Sequence, residues 1–306
     1  MQNQDYIISI DENAGFCWGV VRTLEKVEQC LEECSEKNVY VLGEIIHNPS
    51  EIKRLEKKGL KTLLKDELIN FNPENSVAII RAHGEPPSTY EEAEKIGLEL
   101  VDATCPLVKN LQNKVKKYFD KGFQIVIYGK HSHAEVVGLR GVCDDKCIVI
   151  NSSEEALSKV DFTKKTVLFS QTTMEKKEFQ SIAAALQEKF NVENESLSEG
   201  ERLKIFEQKD TICKYVSNRG QSLIDFAKSN EVVIFVAGRN SSNGKSLFTV
   251  SYNANRKTYF IENIYEINKN WFENAKQIGI TGATSTPQWY LILVKKEIEK
   301  ILSLKK

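Results

Sequence analysis

Leu100-Val101-Asp102-Ala103-Thr104-Cys105-Pro106-Leu107-Val108 is the stretch from which the fold is read. A polar, cap-like pair and a cysteine stand just before Pro106, and a helical pattern follows through Leu107, Val108, Leu111, Val115, Tyr118 and Phe119. Proline is tolerated in the first turn of a helix, so the spacing puts Cys105 at or just before a helix N-terminus. A thiol there faces the positive end of the helix dipole, which favours the thiolate and hence metal binding. A single cysteine of this kind is equally consistent with a plain buried residue. The chain, however, contains the unit three times.

Asp210-Thr211-Ile212-Cys213 repeats Asp102-Ala103-Thr104-Cys105, ahead of a helical run through Val216, Leu223, Ile224 and Phe226. Gly15-Phe16-Cys17 opens a third run through Val20, Val21, Leu24 and Val27, with a looser polar pattern upstream. About 30 residues after each cysteine comes a short apolar strand, a glycine, and a polar residue four places on. The copies are Val39–Leu42 with Gly43 and His47, Ile125–Tyr128 with Gly129 and His133, and Ile234–Ala237 with Gly238 and Ser242. About 65 to 75 residues after each cysteine a second strand again ends on a polar side chain. Here Val77–Ile80 leads to His83, Val167–Phe169 to Thr172 and Ile278–Ile280 to Ser285.

The expected fold is therefore α/β, with three similar small domains, each with a parallel sheet, around a pseudo-threefold axis. The expected domains are 18–104 with Cys17 at its start, 105–212, and 213–294 joined by segment 1–17; 295–306 is the end of a C-terminal helix. Three thiolates would then meet on the axis. Polar side chains at strand C-terminal ends, where open α/β sheets bind ligands, would ring the same point.

The chain of 306 residues is long enough for three domains of roughly 100 residues each. An apolar content of 41% fills globular cores, and a formal charge of −1 gives no reason to expect nucleic acid or an anionic membrane as partner. Met1-Gln2-Asn3-Gln4-Asp5 has neither a basic nor an apolar signal region, and no apolar run approaches the ~20 residues of a membrane helix. Seven cysteines, an odd number, suggest reduced thiols and a cytoplasmic compartment.

Along the chain, Ile7–Ile10 reads as a strand, 51–58 as a helix ended by Gly59, and Asn72-Pro73-Glu74-Asn75 as a turn. Glu85-Pro86-Pro87-Ser88 is expected to break the chain before a helix at Tyr90–Ile96. Glu178–Phe190 is a helix and Asn191–Gly200 a linker. Cys30 and Cys34 share a helix face and read as structural, while Cys143 and Cys147 flank a predicted surface turn. His131 and His133 are two apart, whereas paired metal ligands on a helix are usually four apart. Gly238-Arg239-Asn240-Ser241-Ser242-Asn243-Gly244-Lys245-Ser246 imitates a phosphate-binding P-loop, but five residues separate its glycines where that loop has four. The register argues against nucleotide hydrolysis. The serine and asparagine donors still suit a phosphate.

Three thiolates from three domains suit a [4Fe–4S] cluster with one non-cysteine iron better than a closed four-ligand site. His47, His83, His133, Thr172, Ser241, Ser242, Asn243 and Ser285 are rich in donors and poor in acids, as an anion such as a diphosphate requires. Glu135, two residues from His133, is the natural proton donor.

These residues resemble the LytB-type (IspH) 4-hydroxy-3-methylbut-2-enyl diphosphate reductases over nearly the whole chain. The resemblance is carried by Gly15-Phe16-Cys17, Ile46-His47-Asn48-Pro49, Ala82-His83-Gly84, Asp102-Ala103-Thr104-Cys105-Pro106-Leu107-Val108, Gln171-Thr172-Thr173, Asn218-Arg219 and Asn240-Ser241-Ser242-Asn243. Where the family commonly has G-H-P-E-V, this chain has Ser132-His133-Ala134-Glu135-Val136, and Gly282-Ala283-Thr284-Ser285-Thr286-Pro287 varies around A-S-x-P. The resemblance implies the last step of the methylerythritol phosphate route to isoprenoids. It implies that Cys17, Cys105 and Cys213 hold the cluster, and that His47, His83, Ser241, Asn243 and Ser285 hold the diphosphate with His133 beside them. It also implies that Thr172 orients the substrate hydroxyl, that Glu135 relays protons, and that a ferredoxin or flavodoxin supplies electrons. Two other readings compete, a non-redox [4Fe–4S] hydratase and a cluster-binding sensor without turnover. Dependence on reductant separates the first, and sensitivity to Glu135→Gln the second.

Overall fold

The computed structural model describes residues 6–195, 198, 200 and 204–303. The chain begins with β1 (Ile7–Ile10), α1 (Trp18–Glu33), β2 (Asn38–Leu42), α2 (Pro49–Glu56), β3 (Lys61–Leu63), β4 (Ser76–Ile80), α3 (Pro87–Ile96) and β5 (Glu99–Asp102). It continues with α4 (Pro106–Asp120), β6 (Gln124–Tyr128), α5 (Ala134–Gly141), β7 (Ile148–Ile150), α6 (Ser153–Lys159), β8 (Thr166–Ser170), α7 (Lys176–Glu193) and β9 (Phe206–Gln208). The last part carries α8 (Lys214–Ser217), α9 (Arg219–Lys228), β10 (Val232–Val236), α10 (Ser242–Ala254), β11 (Thr258–Ile261), β12 (Gln277–Gly282) and α11 (Gln288–Ser303).

These strands form three four-stranded sheets, ordered β3-β2-β4-β5, β7-β6-β8-β9 and β11-β10-β12-β1. Every pairing is parallel. The composition explains this, because β4, β8 and β10 are runs in which every residue is buried, as a sheet covered on both faces requires. In the second sheet Val126 and Leu168 pack towards α6 and α7, and Ile125, Ile127, Val167 and Phe169 towards α4 and α5. The third sheet divides likewise, with Ile234 and Val236 packed with α11, and Phe235 and Ala237 packed with α9 and α10.

The fourth strand of each sheet leads directly to a cysteine. β5 precedes Cys105, β9 precedes Cys213, and β1 precedes Cys17. The start of the chain therefore completes the last sheet, with Ile8 opposite Ile278 and Ile10 opposite Ile280 on β12. The described chain packs as two compact units. One holds the third sheet with residues up to Leu31, Glu44–Leu60 and those from Lys214 on; the other, Glu32–Gly43 with Lys61–Cys213, holds the first two sheets.

Several local expectations shift. α3 begins at Pro87, not at Tyr90, with Pro86 as its N-cap. Proline at the first helical position lacks only an N–H that has no intrahelical partner there, so Pro86-Pro87 starts the helix instead of breaking the chain. α2 starts at Pro49 for the same reason, capped by Asn48 Oδ1, which accepts from Glu51 N at 3.1 Å. The run after Cys213 is two helices divided at Asn218. α7 continues to Glu193, and of the expected linker residues 196, 197 and 199 lie outside the described ones. Cys143 is buried in the core against α4 and β8, while Asp144, Asp145 and Lys146 after it are exposed and form the expected surface turn.

β1 is tied in by a buried ion pair as well as by its ladder. Asp11 Oδ2 accepts from Arg219 Nη2 at 2.9 Å and from Thr281 Oγ1 at 2.7 Å. Asp11→Ala leaves the Arg219 cation buried without its anion, and a loss of about 3–5 kcal/mol is expected. A urea midpoint unchanged from wild type would show that the pair does not hold β1 to its sheet.

Candidate active site

The three repeated cysteines are delivered by one backbone device. Cys105 N donates to Ala82 O at 3.0 Å, Cys213 N to Thr172 O at 2.8 Å and Cys17 N to Thr284 O at 3.1 Å. Ala82, Thr172 and Thr284 each lie two residues past the end of a central strand: β4, β8 and β12. An aspartate upstream makes the approach turn each time. Asp102 Oδ1 accepts from Thr104 N at 2.9 Å, Asp210 Oδ1 from Ile212 N at 3.1 Å, and Asp11 Oδ1 from Asn13 N at 2.9 Å. Each cysteine then stands immediately before a helix (α1, α4 or α8) and is half-buried.

In the unit with the first two sheets, Cys105, Cys213, Glu135 and Thr172 come together. Burial pushes the Cys105 thiol up, the N–H groups of Leu107 and Val108 pull it down, and the nearby Cys213 and Glu135 push it up again. Glu135 lies in the first turn of α5, only 1% exposed. Its Oε1 accepts from Thr172 N at 2.7 Å and its Oε2 from Thr172 Oγ1 at 2.7 Å. Burial raises its pKa to about 7, against the lowering effect of Thr172's N–H and hydroxyl. His133 caps α5 by accepting from Glu135 N at Nδ1, 3.2 Å away, which leaves Nε2 as the N–H side of a neutral ring. His83 meets it edge-on, with ring centroids 5.4 Å apart.

In the other unit lie Cys17, His47, Ser241, Ser242, Asn243 and Ser285. Ser241 caps α10 by accepting from Gly244 N at 2.9 Å, and its Oγ is 3.5 Å from Ser285 Oγ. Asn243 Oδ1 accepts from Thr284 N and Oγ1 at 2.9 and 2.8 Å, while its Nδ2 is buried without a partner. The His47 loop runs so close to Gly238 that a Cβ there would stand 2.2 Å from His47 O. This close approach requires glycine. His47 Nδ1 lies 3.0 Å from Glu44 Oε2. Beside Cys17 opens a cavity of about 450 Å³, lined among others by Gly15, Lys214, Tyr215 and Arg219.

Strand register adjusts the matched sets. Counted from the strand ends, His47 and His133 correspond to Ser241, not Ser242, and Thr172 corresponds to Ala82 and Thr284, not to His83 and Ser285. Thr284 was not among the expected residues, although it orients both Cys17 and Asn243. Asp11 was missed too, because three extra residues separate it from its cysteine compared with Asp102 and Asp210. Its Asx-turn chemistry was the available signal.

The fold and site thus define an α/β protein of repeated parallel sheets, each passing a half-buried cysteine from its fourth strand to the next helix. A family model described as LytB protein matches residues 8–299, and the chain belongs to that family. It is 44% identical over 305 residues to the 4-hydroxy-3-methylbut-2-enyl diphosphate reductase of Chloroherpeton thalassium, covering 95% of this chain and 96% of that one. To the protein so named from Bacteroides thetaiotaomicron it is 42% identical, covering 96% and 98%. A solved structure of (E)-4-hydroxy-3-methyl-but-2-enyl diphosphate reductase, the terminal enzyme of the non-mevalonate pathway, superposes with TM-score 0.67 at 33% identity, covering 96% of this chain and 99% of that one. The Plasmodium falciparum E-1-hydroxy-2-methyl-but-2-enyl-4-diphosphate reductase superposes with TM-score 0.81 at 27% identity, covering 98% and 87%. No helix among the described residues is long and apolar enough to cross a membrane.

The raised pKa of Glu135 has a consequence for stability. A carboxyl at 4.5 when unfolded and about 7 when folded favours the native state while it is protonated. That contribution is complete below pH 4.5 and is lost as pH rises to about 7. Glu135→Gln cannot ionise, so its stability relative to wild type is expected to climb across this window by on the order of 3 kcal/mol. Denaturant titrations at closely spaced pH would test this, and a difference independent of pH would mean that Glu135 stays ionised.

Proposed function

We propose that this chain reductively removes the hydroxyl of 4-hydroxy-3-methylbut-2-enyl diphosphate, giving isopentenyl and dimethylallyl diphosphate, as the last step of the methylerythritol phosphate pathway. The observation that carries the reading is buried Glu135, bonded through both oxygens to Thr172 beside Cys105, in a chain of the LytB family. The expected domain boundaries belong to the same proposal: 18–104, 105–212, and 213–294 with 1–17.

Each of the three repeated thiols is half-buried and placed before a helix by a tied amide, and sulfur donors of this kind are what an iron–sulfur cluster takes. Cys17, Cys105 and Cys213 would hold one [4Fe–4S] cluster with one open iron. When bound, it supplies single electrons and a Lewis-acidic position. Electrons would come from a small ferredoxin or flavodoxin, with the enzyme in the cytoplasm.

The chain's own residues supply recognition and protons. The partnerless Nδ2 of Asn243 is a donor suited to a phosphate oxygen, and Ser241, Ser242 and Ser285 add hydroxyls. His47, His83 and His133 complete the diphosphate's donors. Because Thr172 N can only donate, Glu135 Oε1 is an acceptor and the acid proton belongs on Oε2. From there it faces Thr172 Oγ1, whose own hydrogen is then released towards the substrate hydroxyl that Thr172 orients. With a pKa of about 7, the carboxyl is protonated often enough near neutrality to act as general acid. Its burial excludes bulk water from the transfer.

Anaerobically purified wild type is expected to hold about four iron and four sulfide per chain, and Cys105→Ala to lose most of both. Glu135→Gln is expected to keep the metal while kcat falls by about 10²- to 10⁴-fold. Absence of iron even after anaerobic reconstitution would remove the redox chemistry. Full activity of Glu135→Gln would remove its acid.

A further inference from the structure

α5 carries Glu135 in its first turn, and its far end runs into a pair of thiols that the proposed reaction does not use. Cys143 is fully buried, and its Sγ donates to Leu139 O at 3.0 Å, one turn back. Asp144 and Asp145 then take left-handed conformations, with φ of 52° and 58°. Non-glycine residues adopt that region at a cost, and here it folds the chain back so that the Cys147 thiol comes within hydrogen-bonding reach of Cys143. Cys147 is half-buried and so remains partly open to solvent. Arg140 stands beside it, its Nη2 held by Asp145 at 2.8 Å and its Nη1 3.3 Å from His131 Nδ1. Pairing with Cys143, and then the Arg140 cation, hold Cys147 below the ordinary thiol range against its burial, while the same pairing and burial hold Cys143 above it. A partly open thiol beside a cation, with a second thiol in reach, is the arrangement of a peroxide-reactive cysteine and its resolving partner.

We propose that Cys143 and Cys147 form a reversible intramolecular disulfide, with Cys147 the thiol attacked first by a hydroperoxide such as hydrogen peroxide. The Cys147 thiolate attacks one peroxide oxygen, the O–O bond breaks, and the departing hydroxide takes a proton to leave as water, giving the sulfenic acid. Cys143 sulfur then attacks Cys147 sulfur and expels the hydroxyl, which leaves as a second water with the Cys143 proton. Two thiols are oxidised by two electrons and one peroxide is reduced to two waters. To join the bond, Cys143 Sγ leaves Leu139 O, so closure loosens the last turn of α5.

Trypsin reads the bond directly, because cleavage after Arg140 and Lys146 puts Cys143 in 141–146 and Cys147 in 147–159. The holoenzyme is treated with stoichiometric hydrogen peroxide, quenched with iodoacetamide under denaturing conditions and digested without reductant. The expected product is the linked pair of these two peptides, which dithiothreitol abolishes. Arg140→Leu keeps both thiols and is expected to slow the linkage by roughly three- to tenfold. Hydrogen exchange of the amides in α5 is expected to be faster in the oxidised protein. Recovery of both peptides fully alkylated, or of Cys147 as sulfinic acid with Cys143 still alkylated, would overturn the disulfide. A linked pair with unchanged exchange would overturn the loosening of α5.

Discussion

The amide of each repeated cysteine donates to a carbonyl two residues beyond the end of a central parallel strand, and most of the rest depends on that bond. A parallel strand delivers its C-terminal end to the same edge of the sheet as its neighbours, and the residues beyond it carry unpaired backbone groups. Ala82, Thr172 and Thr284 offer their carbonyls there, and the incoming cysteine amide is the donor that satisfies them. The thiol is thus placed by backbone geometry.

The same economy of partners explains Glu135. A carboxyl 1% exposed cannot remain ionised as it would in water unless it is well bonded. Thr172 gives it two donors, enough to keep it in place but too few to offset its burial fully, so its pKa settles at about 7. The residue whose carbonyl positions Cys213 is therefore the residue that poises the acid. One tight turn after β8 couples the placement of the Cys213 thiol to that of the buried Glu135 carboxyl.

Much of this was legible in the chain. Continuous apolar runs announced buried parallel strands, Pro106 announced the helix behind Cys105, and the matched spacings announced a threefold repeat. Residues at strand ends could be named because punctuation by glycine and proline is local. Registers were less legible: a polar run such as Asn240-Ser241-Ser242-Asn243 offers neighbouring candidates, and only strand pairing shows that Ser241 stands where His47 and His133 do. Pro86-Pro87 was misread as a break because a proline pair looks the same whether it ends one segment or starts the next helix.

By itself the sequence determined the α/β class, the three repeated cysteines and the donor-rich strand ends, because periodicity, capping and turn chemistry act over a few residues. Only the tertiary structure decided that β1 completes the last sheet, that Asp11 bonds Thr281 across 270 residues, and that Thr172 reaches back to Glu135. It also decided that Cys143 is core while Cys147 stays half-open. Burial and long-range hydrogen bonds exist only once the elements have packed, and they set which carboxyl and which thiols depart from their ordinary pKa.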